Sequence, residues 1–66
     1  MVIFLGTIYS EGKRCEVIIE AKRAHEDFYS VTVEGEMYRL YRKGEEWQAE
    51  GLPMDLCTRL GKLLPE

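Results

Sequence analysis

Histidine and cysteine are scarce in this chain, and each scarcity closes off a class of chemistry. The single histidine, His25, leaves no set of imidazoles for a metal or a proton relay. Two cysteines, Cys15 and Cys57, are too few for the disulfide framework of a small secreted domain. They are expected to be free and to behave as small buried hydrophobes. The six glycines are dispersed and form no phosphate-cradling loop. No apolar run reaches the roughly 20 residues that cross a bilayer. The opening run Met1–Gly6 has no basic residue before it and no small-residue cleavage site after it, so it reads as a strand and not as a signal peptide. A basic excess is missing too. Nine Lys and Arg face twelve Asp and Glu, for a net charge of −3, which argues against a polyanion as the obvious partner. The acidic balance fits a soluble cytoplasmic protein.

What is present is the composition of an ordinary globular domain, 45% hydrophobic and 32% charged. Sixty-six residues make a single domain, 1–66, because a chain of this size buries only about 60% of the surface it exposes unfolded.

Glycines punctuate the chain. Glu11-Gly12, Glu34-Gly35 and Lys43-Gly44 each separate alternating or apolar stretches, as two-residue hairpin loops do. Centring the first hairpin on Glu11-Gly12 pairs Ser10 with Lys13, Ile8 with Cys15, Phe4 with Ile19 and Val2 with Ala21. The second, on Glu34-Gly35, pairs Val33 with Glu36, Val31 with Tyr38 and Tyr29 with Leu40. The third, on Lys43-Gly44, pairs Arg42 with Glu45, Leu40 with Trp47 and Tyr38 with Ala49. Directly opposed residues share a face, and all three registers place the apolar members on one side. A one-residue slip would turn each set outward, so the agreement is informative.

The chain is therefore expected to be α+β, a five-stranded antiparallel β-meander with one C-terminal α-helix packed on one face. The strands are placed at about 2–9, 14–22, 28–33, 37–42 and 46–50, with a polar connection over 23–27. Val2, Phe4, Ile8, Val17, Ile19, Ala21, Tyr29, Val31, Tyr38, Leu40 and Trp47 are assigned to the inner face. A helix is expected at about 53–64, where Leu52, Leu56, Leu60 and Leu63 recur at helical spacing with Leu64 beside them. Pro53 suits its first position and Pro65 its stop, while Asp55 and Lys62 complement the dipole. Asp55, Thr58 and Lys62 form its wet side.

Catalysis finds little support, and a non-enzyme is expected. His25, Glu26 and Asp27 could form an acid–base or metal site, but three consecutive residues rarely converge on one ion, and a solvated loop is the plainer reading. Neither Ser10 nor Ser30 has a base beside it in these registers. No cofactor or metal is expected.

The outer face is more informative. In a simple meander in which the second strand pairs Ile19 with Val31, Leu5, Ile18, Thr32 and Met37 fall in one transverse row over four strands, with Ile3 next to it. An open antiparallel face is normally polar. An apolar row rimmed by Glu16, Glu20 and Glu34 points to a contact surface for a protein partner or for self-association. The first strand, at an edge and nearly continuous in hydrophobics, is a second place for a homodimer to form. The expected function is thus a small non-catalytic interaction or regulatory module. The alternative is a single-stranded nucleic-acid binder that uses Lys22, Phe28, Arg39 and Tyr41, where basic residues alternate with outward aromatics. Glu20 and Glu46 flank that patch and weigh against it. No membrane association is expected.

Overall fold

The computed structural model describes residues 1–65. Five antiparallel strands form one sheet in the order β1 (Val2–Ser10), β2 (Lys13–Glu20), β3 (Tyr29–Val33), β4 (Glu36–Lys43) and β5 (Glu46–Gln48). A single helix, α1 (Met54–Gly61), follows. This is the α+β meander that the periodicity indicates.

The first two hairpins turn on Glu11-Gly12 and Glu34-Gly35, with Ser10 opposite Lys13 and Val33 opposite Glu36. All four loop residues have positive φ, from 50° at Glu34 to 84° at Gly35. Positive φ at both central positions is the mirror-image turn that matches the twist of the flanking strands. Glutamate is held there in a region that ordinary side chains avoid. The sheet overrules a local preference at two places, and the glycine after each glutamate makes the turn affordable.

The third hairpin differs from the sequence expectation. Its loop is Gly44-Glu45, with Lys43 opposite Glu46 and Arg42 opposite Trp47. Gly44 has φ 65° and Glu45 has no positive φ, the pattern of a turn with glycine first. Trp47 therefore lies across from Arg42 and not from Leu40. The relative shift is two residues, so every side chain keeps its face, and face alternation could not have chosen between the two registers.

The sheet also curls. β4 pairs with β3 through Glu36–Leu40 and hands over to β5 for Tyr41–Lys43. α1 packs against β5 and β1, the two edge strands. It thereby closes the concave side, where its leucine stripe meets the apolar inner residues of the sheet. Val17, Ile19, Val31, Leu40 and Leu60 are fully enclosed, with Tyr29, Val33, Ala49, Leu56, Cys57 and Leu64 around them. Fully burying one such side chain contributes roughly 1.5–3 kcal/mol.

The helix is shorter than its leucine spacing suggests. Pro53 stands just before it, and its carbonyl accepts the first intrahelical bond, from Cys57 N–H at 3.1 Å. At the far end, the N–H groups of Leu63 and Leu64 donate to Leu60 and Gly61, three residues back. This tightened turn ends the α-helix at Gly61, buries Leu64 and leaves Leu63 41% exposed. The basic residue in the last helical turn is Arg59 rather than Lys62. Gly61 is small because Trp47 lies on it: a Cβ there would fall among the indole ring atoms. Trp47 is half-buried and meets Tyr29 edge-on, with centroids 6.0 Å apart.

Candidate interaction surface

The convex face carries the row that the registers imply. Leu5 stands opposite Ile18, Ile18 opposite Thr32, and Thr32 opposite Met37. Leu5 is 73% and Met37 69% exposed, while Ile18 and Thr32 are half-buried between them. The row thus has two protruding apolar ends and a lower middle. Glu16, Glu20 and Glu34 are exposed at its rim. Around Glu16 the rim is tied together. Thr7 Oγ1 donates to its carboxylate at 3.2 Å, Arg14 approaches it at 3.7 Å, and its own N–H donates to the Glu34 carboxylate at 3.2 Å.

Ile3 does not join the row. A bulge between Val2 and Phe4 inserts one residue into β1, so that Val2 faces Glu20 where Ala21 was expected. Glu20 is an outer-face residue, and Val2, 53% exposed, now shares that side. Ile3 turns inward and packs against the core with Phe4. The assignments of Val2 to the inner face and Ile3 to the outer are both reversed. Phe4 folds its ring over Gly6, 3.2 Å from where a Cβ would stand, and so fills the gap that glycine leaves in the concave wall.

The aromatic and basic residues are only partly brought together. The Arg39 guanidinium stacks over the Phe28 ring, 4.9 Å from its centroid. Both line a broad open concavity with Tyr41, Arg23 and Arg42. Glu26, Asp27 and Glu50 line the same concavity and offset its positive charge. Lys22 leaves this group: β2 ends at Glu20, and Lys22 Nζ lies over the Tyr29 ring at 5.5 Å.

A polar cluster that the strand registers could not reveal joins α1 to the first hairpin. The buried Ser10 hydroxyl donates to Asp55 Oδ2 at 2.8 Å, and Arg59 Nε donates to the same oxygen at 2.9 Å. The Arg59 and Ser10 hydrogen bonds hold the Asp55 carboxyl below its ordinary pKa. A carboxylate so stabilised is a poor base for a serine, and the trio reads as a clamp between helix and hairpin. The only signal for it in the sequence is the serine before the turn and the Asp55–Arg59 spacing of four.

His25 is exposed in the connection between β2 and β3. Among the described residues no group of three His, Cys, Asp or Glu side chains could hold a metal ion. Cys57 is buried and Cys15 half-buried, both are free, and burial pushes the Cys57 thiol pKa up. Tyr38 donates to Glu36 at 3.1 Å, and this bond raises its phenol pKa. Among the described residues no helix is long and apolar enough to cross a membrane.

No family model, curated protein or solved structure matches this chain significantly.

Proposed function

We propose that this protein is a small non-catalytic interaction module that docks a protein partner on the convex face of its sheet. One observation carries the reading: the row Leu5–Ile18–Thr32–Met37 spans four adjacent strands on the side opposite the helix, and its two ends stand largely in water. Single exposed apolar residues are common on any protein. A contiguous row inside an acidic rim is the pattern of a contact surface. The concave side already serves as the core, so the row has no part in holding the helix.

The test is substitution at the row with a control beside it. Met37→Glu and Ile18→Glu place a charge in the row, and Lys43→Glu places one at the far end of β4. Partners that co-purify with the wild-type chain should be lost with the first two and kept with the third, while circular dichroism stays unchanged. Loss with all three, or with none, contradicts the reading.

A second reading rests on the Arg39–Phe28 stack beside Tyr41. An aromatic surface with guanidinium groups can hold single-stranded nucleic acid through base stacking and phosphate contact. Fluorescence anisotropy of a labelled oligonucleotide at low and moderate salt tests it. Binding that weakens with salt and disappears in Arg39→Ala supports it, and no binding at low salt removes it.

A further inference from the structure

The two edges of the sheet are finished differently. β5 is three residues long and begins with Glu46, a short charged edge of the kind that resists pairing. β1 is nine residues long, Val2–Ser10, and carries no charged residue and no proline. Its free backbone groups can be identified. A two-residue loop sets Ser10 and Lys13 as a hydrogen-bonded pair, and such pairs then alternate along the ladder. Ser10, Ile8, Gly6 and Phe4 thus direct their N–H and C=O groups to β2, and Tyr9, Thr7 and Leu5 direct theirs away. The next strand agrees: Glu16, which faces Thr7, gives its carbonyl to Glu34 N–H on the β3 side at 3.0 Å. Among the described residues no hydrogen bond from elsewhere in the chain reaches the backbone of Leu5, Thr7 or Tyr9.

We infer that β1 pairs antiparallel with β1 of a second copy about a two-fold axis at Thr7, joining two sheets into one of ten strands. The occupant follows from the strand itself. The three outward residues are spaced symmetrically about Thr7, so one register satisfies all of them: Thr7 opposite Thr7, Leu5 opposite Tyr9 and Tyr9 opposite Leu5. This is the self-complementary contact a two-fold dimer requires. Leu5 and Tyr9, 73% and 63% exposed, become two cross-strand apolar–aromatic pairs on the convex face. With no charge on β1, antiparallel self-pairing sets no like charges against each other. The bulge at Val2 and Phe4 ends the paired segment on one side, and the turn at Glu11 ends it on the other. This inference goes beyond the docking reading and does not depend on it: the two surfaces share Leu5, but the pairing rests on the backbone of β1, and Met37 lies three strands from the shared edge.

The register makes a sharp test by disulfide trapping. In a Cys15→Ser background, Thr7→Cys places two thiols on directly opposed residues, with Cα atoms about 5.5 Å apart, within disulfide reach. Leu5→Cys places them four residues apart along the strand, roughly 13 Å, beyond that reach. Under oxidised glutathione, Thr7→Cys is expected to give a covalent dimer and Leu5→Cys to stay a single chain. Equal trapping at both positions, or none at Thr7→Cys, overturns the pairing. Light scattering on the wild-type chain is the independent measure if a cysteine variant fails to fold. It should show twice the monomer mass as concentration rises, with Met37→Glu unchanged and Thr7→Pro, which removes an outward N–H, monomeric. A wild-type monomer at concentrations on the order of 1 mM, a threshold for even weak association, or a dimer abolished by Met37→Glu, overturns it.

Discussion

At the scale of single residues, Gly61 and Asp55 show what the sequence leaves unsaid. Gly61 is the last residue of the helix, and alanine is the better helix former by up to about 1 kcal/mol. Here the indole of Trp47 occupies the space a methyl group would need, with Cγ and Nε1 each 2.6 Å from the ideal Cβ position. Overpacking of this kind costs about 1–3 kcal/mol, so the clash outweighs the propensity gain. Gly61→Ala is expected to lower the unfolding midpoint and shift tryptophan fluorescence to the red as Trp47 is displaced. Asp55 carries the opposite kind of information. Its pKa is depressed in the folded state by Arg59 and Ser10, so its stabilising contribution is complete above the unfolded value and is lost as pH falls through the folded one. Melting temperature should drop on acidification below its ordinary 3.8, and Asp55→Asn should flatten that drop. The exchange of Val2 and Ile3 between faces was not legible, because no residue type in that stretch marks the bulge that causes it.

At the scale of elements, the hairpins divide by how tightly their loops are specified. The first two follow from face alternation and a glycine at the second loop position. The third offers a glycine that fits either position of a two-residue loop, and the two choices differ by an even shift that alternation does not see. The β2–β3 register spans a loop with no turn signal, and alternation fixed only its parity; the pairing of Ile19 with Val31 was an assumption that the structure bears out. The helix stripe was legible, but the tightening at its end was not. That end supplies a contrast for experiment. Leu60 is fully buried and Leu63 41% exposed, although both belong to the same sequence stripe. Leu60→Ala should cost on the order of 2–5 kcal/mol, a large share of what holds so small a domain, whereas Leu63→Ala should cost about 1 kcal/mol. Chemical denaturation of the two variants measures the difference directly.

At the scale of the whole molecule, the curl of the sheet decides which apolar residues are core and which are surface. Handover of pairing along β4 from β3 to β5 bends the sheet, and α1 against both edge strands completes the enclosure. The concave side is thereby filled, and the convex row at Leu5, Ile18, Thr32 and Met37 is left facing water. Two halves of that row were legible in the sequence, Leu5 with Ile18 and Thr32 with Met37, because the two hairpin registers were; their alignment rested on an assumed β2–β3 pairing that the structure bears out. Whether a partner covers it is a question for the living cell. A photoreactive phenylalanine analogue at position 37 would sit in the row, and the same group at position 43 would sit on the same strand and face but outside it. Irradiation in cells is expected to give a discrete heavier adduct from position 37 and none from position 43. No adduct from position 37, or the same adducts from both, would contradict the assignment of the convex row as a docking surface.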